Sequence, residues 1–582
     1  MKPNWREYRD LLFRYLTGLW PKVLILAFGL LLQTGAQLGG PLVVRRFIDA
    51  VGEGATLERL TSIALIMLGV AAVNTTASLT VSYMSGDVGW RATNRLRSDL
   101  VRHSLRLDMP FHQARTPGEM TERIDGDVNQ LTGFFSEFLV SQVNNVLLLG
   151  SILVILFSED WRAALPIALF GILSTLGLTR MFSFAIPYWT KAREAMTDLL
   201  GYIGERLSGT EEIRANGATG YVMRGYWRLA GEYYRVLRKA ALAGASIMGG
   251  FTLASNVGII LAMGLGGWLF LTGRITLGTT YLLIQYSEML NRPLQGIVQQ
   301  FQVLGMVGAL INRLKDMLGE KSAVVDGPGT PLPDGPLAVD LTGVDFGYTA
   351  DDRVLKGIDI HLAPGQVLGL LGRTGSGKTT ITRLLTRLYD PQAGGVYLGH
   401  IDIRETRLAD LRQRVAIVTQ EVQLFEATIR ENLALFNPYI ADDRITAALE
   451  EVGLGDWLRA QPKGLDTVLP AGGGGLSAGE AQLIAFARGF LKDPGLVILD
   501  EPSSRLDPAT ERRIGQAMSR LLAGRTAIVI AHRLETVDRA DEILIVDGGS
   551  VLEHGARPAL AANESSHFHR LLRAGQVEEV LA

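Results

Sequence analysis

The sequence predicts a multi-domain protein, in which an all-α membrane domain with six transmembrane helices precedes a soluble α/β domain. Three observations lead to this prediction. The first half of the chain contains long stretches without any charged residue, and a Pro- and Gly-rich segment follows at Asp326–Pro336. The second half carries a glycine-rich, phosphate-binding pattern at Gly372–Thr379. The length of 582 residues is sufficient for several domains.

The overall composition excludes several classes of protein. Because 57 Lys and Arg residues stand against 59 Asp and Glu residues, the net charge is −2, which argues against a general nucleic-acid-binding protein. The chain contains no cysteine. Disulfides, thiolate zinc sites and a cysteine nucleophile are therefore excluded, although the compartment is not indicated.

Six apolar stretches in residues 1–320 predict transmembrane helices, because about 20 mostly apolar residues span the hydrocarbon core of a bilayer. Soluble helices rarely stay uncharged for so long, so buried helices of a soluble protein are the less favoured alternative. The six stretches are Val23–Val44, Leu60–Gly86, Phe138–Ser158, Ala163–Thr179, Ala240–Gly273 and Ile275–Asn312.

Two charged residues, Glu288 and Arg292, interrupt the sixth stretch. Charged side chains are costly inside a membrane and normally face the protein interior. One interpretation is a pair that neutralises itself on one helix face, since the two residues are four apart. The other is contact with a substrate in a cavity. The sequence leaves both open and favours the first.

The connections between the stretches predict the orientation. The two long connections, after the second and fourth stretches, carry many Arg and Lys residues, so the positive-inside rule places them in the cytoplasm. Their helical pattern predicts that the spanning helices continue beyond the bilayer as rods. Breaks at Gln113–Gly118 and Gly209–Gly217 predict a short crossing helix in each loop. We expect a multi-pass protein of a bacterial inner membrane with its soluble domain in the cytoplasm.

The soluble half carries a P-loop pattern, Gly372–Thr379, between a strand-like and a helix-like segment, which is the context that this pattern requires. Its glycines let backbone N–H groups turn toward phosphate oxygens, and the following helix N-terminus adds its dipole. Lys378 is placed to reach the β- and γ-phosphates of a nucleotide, and the Thr379 hydroxyl is placed to bind Mg²⁺.

A second strand, Leu496–Leu499, ends in Asp500 and Glu501. Four apolar residues suit a strand that is buried on both faces of a parallel sheet, whose carboxyl edge is where α/β folds bind ligands. Asp500 can hold Mg²⁺ there, usually through water, and Glu501 can polarise an attacking water as a general base. Together with the P-loop, this pair predicts ATP hydrolysis.

A third motif, Leu476–Glu480, reads LSAGE. Ser477 and Glu480 have the spacing of a capping box, which is sufficient to explain why a helix starts here. The alternative is that this helix N-terminus also binds an anion, the γ-phosphate of an ATP molecule held by another subunit. The sequence alone leaves these two interpretations even.

With these motifs in this order, the chain resembles an ATP-binding cassette (ABC) exporter half-transporter over nearly its whole length. The resemblance implies that a permease and an α/β P-loop NTPase domain, the ABC nucleotide-binding domain, are fused in one chain. It also implies ATP and Mg²⁺ as cofactors. The implied boundaries are residues 1–320 for the permease, 321–336 for a linker and 337–582 for the nucleotide-binding domain.

The resemblance implies a role for each matching residue. Glu501 would be the catalytic base, His532 would lie at the γ-phosphate, and Gln420 would contact Mg²⁺ and face the permease. Thr379, Gln420 and Asp500 would be the metal ligands, and Tyr348 would stack on adenine. The residues implied to bind ATP are Tyr348, Gly372, Thr374, Gly375, Ser376, Gly377, Lys378, Thr379, Thr380, Ser477, Gly479, Glu480 and Asp507.

The third motif, Leu476–Glu480, corresponds to the signature motif of the family. It departs from the usual LSGGQ, since Ala478 replaces a Gly and Glu480 replaces the Gln. A methyl group at Ala478 crowds a close approach to phosphate, and the Glu480 carboxylate adds like charge near an anion. Four glycines, instead of an acidic segment, precede the signature. The chain nevertheless keeps the P-loop and the Asp500 and Glu501 pair of its own ATP site. Because only the signature is altered, we favour one subunit of a heterodimer over a homodimer.

Three functional classes remain. The favoured one is ATP-driven export of an amphipathic small molecule, drug or lipid by alternating access, as half of a dimer. The second is import on the exporter scaffold, for example of a siderophore. The third is a non-transporting, ATP-gated signalling or channel protein. The expected partners are a second half-transporter, the lipid bilayer and the substrate, without nucleic acid.

Overall fold

The computed structural model divides the chain into two compact units. The helical unit comprises Met1–Leu105 and Pro117–Glu320, and the sheet unit comprises Arg106–Thr116 and Lys321–Ala582. The second unit therefore starts at Lys321, but it also includes the tip of the first long loop. The structure describes residues 13–349, 352–500, 508–531 and 537–574.

The helical unit consists of long helices joined by short connections. The longest has 53 residues, which corresponds to about 80 Å, whereas the hydrocarbon core of a bilayer is about 30 Å thick. The prediction of rods that extend beyond the bilayer is therefore confirmed. The α-helices up to Gly319 are, in chain order, α1 (Trp20–Gly52), α2 (Leu57–Arg106), α3 (Met109–Gln113), α4 (Pro117–Thr121), α5 (Asp127–Gly133), α6 (Leu139–Glu159), α7 (Trp161–Ser208), α8 (Thr210–Ala215), α9 (Thr219–Leu271) and α10 (Leu277–Gly319). Of these, α3 lies at the tip of the first long loop and belongs to the sheet unit.

Five helical segments in the described part of the chain are long and apolar enough to cross a membrane. They are Trp20–Gly52, Leu57–Arg106, Pro117–Glu159, Trp161–Ser208 and Thr219–Leu271. The sixth predicted span corresponds to α10, a continuous helix of 43 residues that contains Pro293. It is not among the five, so its crossing of the membrane stays a prediction.

An ion-pair network joins one end of α1 to the start of α10. Arg45 is paired with Glu159 and with Asp49. Asp49 accepts hydrogen bonds from the backbone N–H of Gly278 at 2.9 Å and from the Thr276 hydroxyl at 3.0 Å. The Asp49 carboxylate therefore lies at the N-terminus of α10, where a negative charge is favourable.

A buried carboxylate joins α5 to the other end of α10. Arg313 donates to Asp127 through Nε at 3.0 Å and through Nη2 at 2.7 Å, and the Asp127 side chain is only 4% exposed. Two π-helical turns, Glu122–Gly126 and Phe134–Phe138, lie on either side of α5. Such turns are rare within α-helices and frequently lie at functional sites.

Both predicted breaks in the long loops produce short helices. In the first loop, α3 ends at Gln113 and α4 begins at Pro117. In the second, α8 is followed by Gly217 in a left-handed conformation, with φ of +64°. The residue before α3, Asp108, accepts hydrogen bonds from the Ser322 hydroxyl at 3.2 Å and from the backbone N–H of Val324 at 3.4 Å.

The sheet unit is built on a six-stranded sheet in the order β12-β11-β3-β10-β9-β6, in which only the β11–β12 pair is antiparallel. A four-stranded antiparallel sheet, β2-β1-β4-β5, shares a hydrophobic core with it. This arrangement is the α/β domain that the sequence predicted. The strands are β1 (Val339–Thr349), β2 (Asp352–Leu362), β3 (Val367–Leu371), β4 (Ala393–Leu398), β5 (Ile401–Asp402), β6 (Val415–Val418), β7 (Ala427–Thr428), β8 (Val468–Leu469), β9 (Leu496–Asp500), β10 (Thr526–Ile530), β11 (Glu542–Asp547) and β12 (Ser550–Ala556).

The helices of the sheet unit pack on both faces of the six-stranded sheet, because side chains alternate along each strand. On β9, Leu496 and Ile498 belong to the core that contains the helix Lys378–Leu385 (α11), whereas Val497 and Leu499 belong to the core that contains the helix Ala478–Lys492 (α16). The helices are α11 (Lys378–Leu385), α12 (Leu408–Arg414), α13 (Ile429–Ala434), α14 (Asp442–Glu451), α15 (Gly455–Arg459), α16 (Ala478–Lys492), α17 (Pro508–Leu522), α18 (Arg557–Ala562) and α19 (His567–Ala574).

The Pro- and Gly-rich segment Asp326–Pro336 forms no helix or strand, as predicted, yet it packs on the sheet unit. Gly327 donates its backbone N–H to Thr406 at 3.2 Å, and Gly329 donates to Glu405 at 3.0 Å. Asp326 accepts a hydrogen bond from the backbone N–H of Leu408 at 2.6 Å. The segment is thus held by backbone hydrogen bonds.

We expect Asp127→Asn to lower the melting temperature, because one charged acceptor of a buried, two-bond contact becomes an amide that cannot accept both bonds. Hydrogen bonds to charged groups are each worth about 1.5–3 kcal/mol. Asp125→Asn is the matched control, since Asp125 pairs with Arg97 but is 59% exposed. Thermal unfolding of the purified protein in lipid nanodiscs measures both variants, and equal shifts would contradict a special role of Asp127.

Candidate nucleotide-binding site

Strand register places four predicted site segments at one edge of the six-stranded sheet. Ile530 on β10 pairs with Leu370 on one side and with Asp500 on the other. Val418 on β6 pairs with Leu499 on β9. The strands are parallel, so the P-loop, Asp500 and the segments that continue to Gln420 and His532 all leave the sheet at its carboxyl edge, where α/β folds bind ligands.

The P-loop has the backbone conformation that its glycines predict. Gly372, Gly375 and Gly377 have φ values of +152°, +83° and +110°, which side-chain-bearing residues rarely adopt. A Cβ atom at Gly372 would lie 2.2 Å from the carbonyl oxygen of Val546, and one at Gly377 would lie 2.5 Å from the Leu355 side chain. The loop is therefore packed closely from behind and requires glycine at both positions.

Lys378 begins α11 and is buried. Its ammonium group donates to the carbonyl oxygens of Gly372 at 2.5 Å and Arg373 at 2.9 Å, so it lies folded over the loop. The Ser376 hydroxyl is buried and has no hydrogen-bond partner among the described residues. A buried hydroxyl without a partner normally calls for an explanation, and a phosphate oxygen would provide one.

These residues fit a nucleotide with Mg²⁺. The P-loop offers the turned backbone, the buried Lys378 and the Ser376 hydroxyl to phosphate oxygens. The predicted metal ligands Thr379, Gln420 and Asp500 offer a hydroxyl, an amide oxygen and a carboxylate, and oxygen atoms are the ligands that Mg²⁺ prefers. Thr379 and Gln420 are exposed, and the remaining P-loop residues, Thr374 and Gly375, are exposed as well.

Tyr348 lies next to the P-loop helix. Its hydroxyl lies 3.1 Å from Oγ1 of Thr380 and accepts a hydrogen bond from Arg383 at 2.8 Å. Its ring makes edge contacts with the rings of Phe346 and Tyr389, at centroid distances of 5.1 and 5.3 Å. Because 37% of the residue remains exposed, the anchored ring can still present a surface to a base.

The predicted capping box is present at the start of α16. The backbone N–H of Glu480 donates to the Ser477 hydroxyl oxygen at 3.2 Å, and the Glu480 carboxylate accepts from the backbone N–H of Ser477 at 2.8 Å. The Ser477 hydroxyl also donates its proton to this carboxylate, at 2.9 Å. Thr428 and Glu431 form an equivalent box on α13, and these hydrogen bonds lower the pKa of Glu431.

Three of the four glycines before the signature adopt conformations that explain their presence. Gly472, Gly473 and Gly475 have φ values of +69°, +75° and +91°. A Cβ atom at Gly473 would approach the Leu424 side chain to 2.7 Å. Within the signature, Gly479 has a structural role of its own, because a Cβ atom there would lie 2.0 Å from Thr510 on α17.

Sequence reasoning missed two arginines that support the site. Arg488 on α16 donates to the carbonyl oxygens of Asn432 at 2.8 Å and Gln423 at 3.2 Å, and burial lowers the pKa of its guanidinium. It therefore ties the signature helix to the segment that follows Gln420. Arg383 anchors Tyr348. A charged residue within the otherwise apolar run of α16 was the available signal for Arg488.

Three predicted site residues, Glu501, Asp507 and His532, lie outside the described residues. Glu501 follows directly after Asp500, and His532 is two residues beyond the end of β10 at Ile530. Their roles stay predictions.

Comparison with known protein families gives two matches. Residues 23–294 match the family described as the ABC transporter transmembrane region. Residues 355–504 match the family described as ABC transporter. The two matches lie one after the other in the chain, as predicted for a fused permease and nucleotide-binding domain.

Relatives and solved structures resemble the chain over most of its length. It is 29% identical to the ATP-dependent lipid A-core flippase of Chromohalobacter salexigens, with 98% of both chains covered. It is 30% identical to the probable multidrug resistance ABC transporter ATP-binding/permease protein YheH of Bacillus subtilis, covering 84% of this chain and 73% of that protein. The structure of a bacterial Atm1-family ABC exporter with ATP bound matches with a TM-score of 0.76 and 26% identity, over 98% of both chains.

We expect Tyr348→Ala to raise the dissociation constant of ATP by roughly 5- to 100-fold, since stacking of a base on an aromatic ring is worth about 1–3 kcal/mol. Tyr348→Phe keeps the ring but loses both hydroxyl contacts, so we expect a change of less than about threefold. Binding of a fluorescent ATP analogue to the purified transporter measures both constants. Equal losses in the two variants would show that the hydroxyl group, and not stacking, matters.

Proposed function

Because the chain belongs to the ABC transporter family, as a fused permease and ATPase of the exporter type, we propose that it acts as one half of a dimer that exports an amphipathic molecule. It is a multi-pass integral membrane protein that couples ATP hydrolysis to export. The alternatives of import and of an ATP-gated channel are therefore set aside. We place the protein in a bacterial inner membrane.

One observation carries the proposal of a dimer. The P-loop helix α11 and the signature helix α16 cover opposite faces of the same sheet. A signature that binds the γ-phosphate of an ATP molecule on the P-loop must therefore come from a second chain. Two chains that face each other would form two sites, each with the P-loop of one chain and the signature of the other.

Within each site, the residues of this chain have separable tasks. Lys378 and the turned backbone of Gly372–Gly377 bind the phosphates, and Tyr348 binds the base. Thr379, Gln420 and Asp500 would hold Mg²⁺, which screens the charge of the phosphates. Glu501 orients and deprotonates the attacking water, and His532 contacts the γ-phosphate. Asp507 would lie at the surface between the two chains.

The two sites of the dimer are unequal in this proposal. A serine hydroxyl has one proton to donate, and in this chain Ser477 donates it to the charged Glu480 carboxylate. Hydrogen bonds to ionised acceptors are about twice as strong as neutral ones. The Ser477 hydroxyl therefore has no proton left to donate to a γ-phosphate, and the negative charge of Glu480 repels that anion. These features support a heterodimer whose partner supplies the standard signature to the site of Glu501.

The amphipathic character of the substrate is supported by the relatives, which are named as a lipid A-core flippase and as a multidrug resistance transporter. Closure of the two ATPase domains around ATP would turn the membrane domain outward, and hydrolysis would reset it. Each step is a shift between two states that a ligand biases. The short helices α3 and α8, in the cytoplasmic loops, are the segments proposed to carry that movement.

We expect Glu501→Gln to retain ATP binding and to lower ATP hydrolysis at least about 100-fold, because general-base catalysis contributes roughly 10²–10⁴-fold. The amide keeps the size of the side chain but cannot accept the proton of water. Phosphate release from the reconstituted transporter measures turnover, and the fluorescent ATP analogue measures binding. Undiminished turnover would remove Glu501 from the role of base.

We expect Ser477→Ala to lower ATP hydrolysis only about two- to fivefold, far less than Glu501→Gln, because this signature serves the weaker site. Loss of the cap itself costs about 1 kcal/mol of stability. Thr428→Ala removes the equivalent capping box on α13 and is the matched control for that cost. A loss in Ser477→Ala as large as in Glu501→Gln, with Thr428→Ala unaffected, would contradict unequal sites.

A further inference from the structure

The helical unit contains a cavity of about 620 Å³ between α1, α2, α6 and α10. Its volume lies within the range of about 300–1,000 Å³ that is usual for small-molecule sites. Its lining is unusually polar for the inside of a membrane domain. The polar side chains are Gln37, Asn74, Asn144, Asn145, Gln285 and Glu288.

Two prolines add backbone acceptors to this cavity. Pro41 lies inside α1 and Pro293 lies inside α10, and both line the cavity. A proline has no N–H group, so the carbonyl four residues earlier loses its usual helical donor. Those carbonyls belong to Gln37 and Met289, which are also lining residues. The cavity therefore combines side-chain amides with carbonyl oxygens that need a donor.

The amide side chains are only partly paired. Asn144 accepts a hydrogen bond from the Thr34 hydroxyl at 3.1 Å. Oδ1 of Asn74 is buried and has no hydrogen-bond partner in the part of the chain that the structure describes. In a membrane domain an unpaired buried acceptor costs several kcal/mol relative to a paired one. A donor from a ligand would remove that cost.

The charge of the cavity lining comes from a glutamate side chain. Glu288 is the one ionisable side chain among the lining residues in the described part of the chain, and it is exposed to the cavity. A carboxylate only accepts hydrogen bonds. Arg292, which the sequence offers as its neutralising partner, has a side chain outside the described set. Met67, Val70 and Leu148 supply an apolar wall.

We propose that this cavity binds the head group of a lipophilic ammonium compound, with N–H donors directed at Glu288 and the free carbonyl oxygens and an alkyl chain along the apolar wall. This proposal rests on the proposed export function and names the class of its substrate. Intramembrane carboxylates that are retained despite their cost typically mark substrate or ion sites. A carboxylate next to the unpaired Asn74 acceptor disfavours a fatty-acid anion and favours a protonated amine.

Photolabelling of the complete transporter, purified with its partner and held in lipid nanodiscs, tests the site. The probe is dodecylamine with a photoreactive diazirine in its chain, and labelled peptides are identified by mass spectrometry. We expect labels on peptides of α1 and α10. Unlabelled dodecylamine should compete at least about tenfold better than dodecanol or dodecanoate, which share its chain, because only the amine is a cation with several donors. Equal competition by the three compounds, or labels confined to other helices, would overturn the proposal.

Glu288→Gln tests the source of that preference. We expect the preference for dodecylamine over dodecanol to fall from about tenfold to less than about threefold, since the amide keeps its shape and loses its charge. Glu232→Gln is the matched control, because Glu232 is an exposed glutamate of α9 away from the cavity. An unchanged preference in Glu288→Gln would overturn the role of this carboxylate, provided that its melting temperature equals that of Glu232→Gln.

Failure of this proposal and failure of the proposed function give different results. ATP hydrolysis that depends on Glu501 supports the transporter function whatever the labelling shows. Labelling that ignores the charge of the competitor, in a preparation that hydrolyses ATP, overturns only the substrate class. A preparation without hydrolysis in which dodecylamine still labels α1 and α10 selectively would overturn the function and leave the ammonium site in place.

Discussion

The parallel register of four strands is the constraint on which the rest of the ATPase depends. The pairing of Ile530 with both Leu370 and Asp500 fixes the P-loop and the metal-binding carboxylate at one level of the sheet. The alternation of side chains along the same strands separates α11 from α16, because each helix packs on a different face. The P-loop helix and the signature helix of one chain therefore lie on opposite faces of its sheet. Such a chain can complete an ATP site only with the signature of a second chain.

Charged side chains of the helical unit occur in two settings. Some form ion pairs, as Arg45 does with Glu159 and as Lys22 does with Asp87. Asp127, whose carboxylate is buried, is paired with Arg313 in the same way. The cavity that contains Glu288 differs, since amides and carbonyl oxygens surround the carboxylate there and no second ionisable group lines it in the described part of the chain. This contrast separates a structural use of charge from a binding use.

Much of this architecture could be predicted from the sequence because local chemistry determines it. The glycines at 372, 375 and 377 require positive φ, the spacing of Ser477 and Glu480 produces a capping box, and uncharged stretches of sufficient length produce the long helices. Features that join distant parts of the chain could not be predicted. Asp127 and Arg313 are 186 residues apart, and the polar cavity collects side chains from four helices. The four glycines before the signature departed from the pattern of the family, and the positive φ of three of them explains glycine at those positions.

Native mass spectrometry of the tagged chain, purified gently from its own cells, tests the central claim that this chain supplies half of each of two unequal sites. The account predicts a complex of this chain, of 63.3 kDa, with one copy of a different half-transporter. A complex of two copies of this chain with full transport activity would contradict the inequality of the sites. A single chain that hydrolyses ATP would contradict the composite site itself.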